Sequence, residues 1–195
     1  YQIVNTGVTE TQYVMLKKLE LSAEEHQELI AHCRDRSIQF LSTPFDLDSL
    51  ALLVMECQIP LIKISSGDIT NAVLLLEAAR TGKPVILSTG MSTLADVEAA
   101  LEVLAFGYTA SPGILPSRGA FRTAYASSPG QEALQKNVTL LHCTTEYPAP
   151  FAEVNLRVMD TLGAAFGLKV GLSDHTPGIS VAIGAVAKGA TVIEK

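Results

Sequence analysis

Six short motifs hold the residues in this chain that are able to do chemistry: Ser42-Thr43-Pro44-Phe45-Asp46, Lys63-Ile64-Ser65-Ser66-Gly67-Asp68, Leu87-Ser88-Thr89-Gly90-Met91, Leu141-His142-Cys143-Thr144-Thr145-Glu146-Tyr147-Pro148-Ala149-Pro150, Gly171-Leu172-Ser173-Asp174-His175-Thr176 and Val192-Ile193-Glu194-Lys195. In the first five, a hydroxyl follows an apolar run. A phosphate dianion with a carboxylate needs such donors and at least one fixed cation, held where water is largely excluded. Lys63 is the best candidate for that cation. It stands inside an otherwise apolar run, where an unpaired ammonium is costly, so an anionic ligand or an acidic partner must lie near it. Ser173 and His175 are two positions apart and project to the same side of an extended strand, so both can address one ligand. Asp68, an acid at a strand end, is placed to orient a substrate or relay a proton. Plainer readings stand beside these. A Ser or Thr after a strand commonly caps the next helix, and Asp68 can cap a helix beginning near Asn71. A lone histidine is more often structural than ligating. His142 and Cys143 are expected to pack in a strand, and His26 and His32 to lie on a polar helix face.

Positioning these groups falls to short β-rich runs that alternate with amphipathic helical stretches, the pattern of parallel βα units. The expected strands are Ile38-Ser42, Leu61-Ile64, Val85-Ser88, Val138-Cys143, Lys169-Leu172 and Thr191-Glu194. Ser22-x-x-Glu25 reads as a capping box that opens a helix running to about Arg34, and Thr93-x-x-Asp96 as a weaker one. After the second cap, Leu94, Val97, Leu101 and Leu104 recur at helical spacing, and Gly107 is expected to end the helix in a left-handed conformation. The strand-end hydroxyls at 43, 66, 88, 144 and 173 fall 23, 22, 56 and 29 residues apart, so one interval exceeds a single βα unit. The excess lies in 107–136, where Ser111-Pro112-Gly113, Pro116-Ser117-Arg118-Gly119 and Ser127-Ser128-Pro129-Gly130 supply turn chemistry around a short helix expected at Ala120-Ala126. Parallel units of this kind build either an open doubly wound sheet or a closed barrel. A hydroxyl at every strand end favours the barrel, in which all strand ends face one centre. The expected fold is therefore an α/β (β/α)₈ TIM barrel, present across 1–195 as about six of its eight units, strands 3 to 8, with the excursion at 107–136. Further barrel sequence is expected on both sides.

The chain has 195 residues, 48% of them hydrophobic and 17% charged, enough to bury a substantial core. Its 14 Lys and Arg against 20 Asp and Glu give a formal charge of -6, and no basic run tracks a phosphate backbone, so nucleic acid is not the expected partner. Apolar stretches are broken well before the roughly 20 residues a bilayer span needs, and the first residues show no signal-peptide pattern, so no membrane association is expected. Three widely spaced cysteines, Cys33, Cys57 and Cys143, argue against a disulfide framework or a zinc cluster and suit a reducing cytoplasm.

The order and spacing of the six motifs resembles the barrel of the sialic acid synthases, including the legionaminic, pseudaminic and spore-coat sugar-acid synthases. The resemblance covers the chain apart from 107–136. It implies a transferase that condenses phosphoenolpyruvate with N-acetylmannosamine or a related N-acetylated amino sugar, in which carbon 3 of phosphoenolpyruvate attacks the open-chain aldehyde and phosphate leaves. It implies that Lys63 contacts phosphoenolpyruvate with Thr43, Ser66, Ser88 and Ser173 as hydroxyl donors. Tyr147 matches a tyrosine on the amino sugar, and Thr145 stands where some members carry asparagine on the substrate side. His175 matches one of two protein ligands to a divalent metal, Mn²⁺ first and Mg²⁺ second, that acts as a Lewis acid on the aldehyde. The other ligand is the histidine that follows the Glu-Lys pair in the family. Asp68 stands where the family usually has glutamate, and Glu194 matches a family acid that reads first as a site carboxylate and second as a support for the metal ligands. A homodimer is implied for the full-length protein. Two other readings remain at this point: a phosphate-binding barrel aldolase or lyase with Lys63 as a Schiff-base lysine, and a truncated barrel without catalysis.

Overall fold

In the computed structural model the described residues are 12–111 and 113–195, so Pro112 of the expected Ser111-Pro112-Gly113 turn, and residues 1–11, lie outside them. The chain divides into two compact units, 1–40 and 41–195. The first holds α1 (Gln12–Lys17) and α2 (Ala23–Asp35). Helix α2 opens on the expected capping box. Ser22 Oγ accepts from the Glu25 amide at 3.2 Å, and the Glu25 carboxylate accepts from the Ser22 amide at 2.6 Å, so two amides that lack helical partners are satisfied reciprocally. None of its residues is buried.

The second unit runs α3 (Leu47–Ala51), continued by a π-helical turn over Leu52–Glu56, then β1 (Ile62–Ile64), α4 (Ala72–Arg80), β2 (Val85–Ser88), α5 (Leu94–Thr109), α6 (Arg118–Ala126), α7 (Ser128–Asn137), β3 (Val138–Cys143), α8 (Arg157–Phe166), β4 (Lys169–Ser173), α9 (Ser180–Ala187) and β5 (Ile193–Glu194). The five strands form one parallel sheet in the order β1-β2-β3-β4-β5. The order never reverses, so the sheet lacks the switch point at which a doubly wound fold binds its ligand. Five of the six expected strands are present. The sixth, Ile38-Ser42, is not a strand. Arg36 and Ser37 close α2, with the Ile38 amide donating to the Cys33 carbonyl at 2.8 Å, and β1 pairs with β2 alone among the described residues. An apolar alternation without a neighbouring ladder forms no sheet.

Register divides the sheet into two faces. Ile62, Ile64, Val85, Leu87, Val138 and Leu140 share one face and are at most 1% exposed. Leu172, also on this face, packs with Met159 of α8 and Ala185 of α9, and Val170 and Ile193 pack against that cluster. Lys63, Ser88, Cys143, Ser173 and Glu194 alternate with these residues and share the opposite face. The segment 107–136 folds as the end of α5, then α6 and α7, which pack on α5 and on each other. Gly107 does not end α5, which runs to Thr109. Its lack of a side chain serves packing instead, because a Cβ there would meet Ala79 Cβ at 2.5 Å and the Leu76 carbonyl at 3.0 Å, both on α4. A true left-handed terminator stands at Gly167, φ 64°, after α8.

Candidate active site

At the carboxyl ends of the strands lies a cavity of about 560 Å³. Parallel register builds its floor, since Cys143, Ser173 and Glu194 are Cα partners across β3, β4 and β5. Nine of the ten residues singled out from sequence line it: Lys63, Ser66 and Ser88 from the β1 and β2 side, Ser173, His175 and Glu194 from the β4 and β5 side, and Thr43, Thr145 and Tyr147 from loops. The tenth, Asp68, does not line it. It ends the single 3₁₀ turn Ser66–Asp68, and its carbonyl accepts from the Asn71 amide at 2.9 Å. Nor does Asp68 cap the following helix, because Asn71 does so through its own side chain, accepting from the Leu74 amide at 3.2 Å.

The cavity holds two lysines under different constraints. The Lys63 side chain is only 12% exposed, its Nζ lies 3.5 Å from Glu194 Oε1, and it donates to the Ile64 carbonyl at 2.9 Å. This is the acidic partner that its setting demands, and with Glu194 more exposed than Lys63 the pair stays open to a ligand. Lys195 is tied down. Its ammonium donates to Asp174 Oδ2 at 2.9 Å and to the Thr176 carbonyl at 2.7 Å. Asp174 is 2% exposed. Burial pushes its carboxyl up, but the Lys195 ammonium and the Thr176 hydroxyl and amide outweigh that and hold it below the ordinary carboxylate range. The same carboxylate thereby folds the turn that presents His175.

Of the lining hydroxyls, Ser65 caps the 3₁₀ turn, accepting from the Gly67 amide at 3.3 Å; Ser66, Ser88 and Ser173 are differently engaged. Ser66 Oγ accepts from the Gly90 amide at 2.9 Å and lies 2.9 Å from Cys143 Sγ. Ser173 Oγ lies 3.0 Å from His175 Nε2. Ser88 is 3% exposed, and its hydroxyl has no hydrogen-bond partner among the described residues. A buried hydroxyl in that state is costly unless a ligand completes it. His175 stacks at a tilt on Tyr147, ring centroids 4.3 Å apart, and its carbonyl accepts from the Ala149 amide at 2.9 Å, so the loops after β3 and β4 are fastened together. Burial lowers the His175 pKa, and Lys195 and Lys63 lower it further against Glu194 and Asp174, so the neutral imidazole is favoured.

Sequence reasoning missed Cys143 and Lys195 in this wall, and it left the role of Gly90 open. Gly90 has close contacts that explain it: a Cβ there would meet Thr145 Cγ2 at 2.6 Å, Cys143 Sγ at 2.7 Å and Ser66 Oγ at 3.0 Å. Gly90 and Met91 form a turn here, but the positive φ of that turn, 59°, is at Met91 and not at Gly90. As a metal centre the wall is incomplete: among the described residues no three His, Cys, Asp or Glu converge. His175 offers one imidazole.

The family model of the NeuB family matches residues 1–195. An N,N'-diacetyllegionaminic acid synthase of Campylobacter jejuni is 48% identical over all of this chain and 51% of its own length. A second synthase of that name, from Legionella pneumophila, is 40% identical over all of this chain and 48% of its own. Among solved structures, an N-acetylneuraminic acid (sialic acid) synthetase of Leptospira borgpetersenii in complex with citrate superposes with a TM-score of 0.71 at 32% identity, covering 92% of this chain and 53% of that one. The chain spans about half the length of the curated relatives it matches.

Proposed function

The chain belongs to the NeuB family, and on that premise we propose that its five-stranded sheet is part of a (β/α)₈ barrel synthase that condenses phosphoenolpyruvate with an N-acetylated amino sugar, N-acetylmannosamine or a relative, releasing phosphate. The observation that carries this reading is the buried, unpartnered Ser88 hydroxyl on the same sheet face as the largely buried Lys63. A carboxylate and phosphate placed there would complete the Ser88 hydrogen bond and bring a second anion to the lysine. Thr43, Ser66 and Ser173 add donors around them, and Lys63 stabilises the negative charge that develops as carbon 3 attacks the aldehyde. Glu194, rather than Asp68, is the acid within reach of the reacting groups, and its pairing with Lys63 orients both. Tyr147 and Thr145 stand at the open side for the amino sugar. A divalent cation, Mn²⁺ or Mg²⁺, supplies Lewis acidity to the aldehyde when bound. Among the described residues His175 is the imidazole placed to ligate it, and Ser173 fixes that ring's orientation. The proposal includes a cytoplasmic homodimer; three free cysteines support the reducing compartment, and no helix among the described residues is long and apolar enough to cross a membrane.

The test is phosphate release by the protein supplied with phosphoenolpyruvate, an N-acetylated amino sugar and Mn²⁺, together with calorimetry of phosphoenolpyruvate binding. Lys63→Ala is expected to weaken binding by roughly 10-fold or more, at least about 1.4 kcal/mol, while the circular dichroism spectrum stays native. Undiminished affinity in a folded Lys63→Ala protein overturns the assignment.

A further inference from the structure

We propose that Cys143 is a positioning residue whose side chain fixes the direction of the Ser66 hydroxyl toward an anion in the cavity. A serine oxygen carries one hydrogen and two lone pairs. The Gly90 amide donates to one lone pair at 2.9 Å. Cys143 Sγ lies 2.9 Å from the same oxygen, in a geometry that allows either atom to donate. The two directions have opposite consequences. When the thiol donates, both lone pairs are filled and the hydroxyl hydrogen has only the cavity to point into. When the hydroxyl donates to sulfur, Ser66 presents no hydrogen to a ligand. A hydroxyl bound to a phosphate or carboxylate oxygen is charge-assisted, whereas sulfur is a weak acceptor, so an anion selects the first direction.

Packing holds the three groups in this relation. Cys143 is 9% exposed. A Cβ on Gly90 would fall within 3.0 Å of both the sulfur and the Ser66 oxygen, so the glycine backbone, the thiol and the hydroxyl form one close-packed triangle at the cavity wall. The sulfur sits in the strand-end row with Ser173 and Glu194, on the side of the sheet that carries the charged and hydroxylic groups. A residue placed only for packing would need no hydrogen-bonding atom there.

This inference rests on the anion-binding reading of the cavity, and a double-mutant cycle on phosphoenolpyruvate affinity, measured by calorimetry on the intact protein, separates the two. Cys143→Ala is expected to weaken binding several-fold in the wild-type background and to change nothing further in Ser66→Ala. Cys143→Ser, which keeps a donor of nearly the same reach, is expected to restore affinity to within about 3-fold of wild type. If Cys143→Ala does not fold, Cys143→Val, which fills the space without a donor, takes its place. Equal losses in both backgrounds, no loss in either, or failure of Cys143→Ser to rescue overturns the role of Cys143 and leaves the anion site standing. Absence of phosphoenolpyruvate binding by the wild-type protein overturns the anion site, and the thiol's role with it.

Discussion

The two faces of the sheet are made from the same strands, yet they obey opposite rules. On one, Ile62, Ile64, Val85, Leu87, Val138 and Leu140 are closed off almost completely, and nothing on that row carries a hydrogen-bonding side chain until His142. On the other, Lys63, Ser88, Cys143, Ser173 and Glu194 meet at a cavity, with one hydroxyl unpartnered among the described residues and one ion pair stretched to 3.5 Å. The first face maximises burial of apolar area, which stabilises the fold. The second accepts strain in its polar groups so that a ligand can relieve it. Stability and recognition are thus separated by a single residue of alternation along each strand.

Substitutions on the two faces should therefore give separable losses. The largest is expected from Leu140→Ala, which empties a fully buried site and should cost about 2–5 kcal/mol in urea denaturation. A loss below about 1 kcal/mol would mean that the covered face is not the stabilising one. His175→Ala, on the cavity side, should lower Mn²⁺ affinity and activity together by roughly 10-fold or more, with the urea midpoint close to wild type. An unchanged metal titration would remove His175 from the ligand set. Ser88→Ala is the sharper probe of the comparison. It should weaken phosphoenolpyruvate binding by roughly 3- to 10-fold, the scale of one hydrogen bond, and leave stability equal or slightly higher, because it removes a buried hydroxyl that has no partner among the described residues.

The smallest effect concerns the polar exception on the covered face. His142 is 9% exposed with Nε2 unpartnered among the described residues, and burial holds its pKa below the ordinary value of 6.5. The unfolded chain therefore takes up a proton near pH 6.5 while the folded chain resists until lower pH. The stability involved is fully present above 6.5 and is lost as pH falls from there through the lowered pKa. His142→Leu should flatten part of this acid slope in denaturation curves between pH 7 and 5. The remaining slope belongs in part to His175, whose pKa is lowered too. An unaltered slope would show that His142 is protonated equally in both states.

Much of this division could be read from the chain. Hydroxyls after apolar runs marked the strand ends, and Ser173 with His175 kept the same-side relation that their spacing implied. What escaped has identifiable causes. Parallel strands are buried on both faces, so the alternation that would separate Cys143 from His142 is masked by apolar neighbours. Ile38-Ser42 has the composition of a strand, but pairing is a property of a neighbour that composition does not contain. Gly107 reads as a helix-ending glycine. It instead admits a close contact from α4, and sequence shows conformational freedom but not who approaches. Asp68 reads as a helix cap, but it is taken up as the last residue of the 3₁₀ turn, and Asn71 caps the helix instead.

The unbroken strand order has a kinetic meaning. From β2 onward each strand in the sheet pairs with the strand that precedes it in the chain, so each crossover joins neighbours in sequence and never waits for a segment far downstream. Synthesis proceeds in the same direction, and the last strand laid down is always the template for the next. Assembly of the sheet is therefore accretion along one moving edge, with the longest wait at the crossover from β2 to β3, where α5, α6 and α7 must all be made before Val138 can reach Val85.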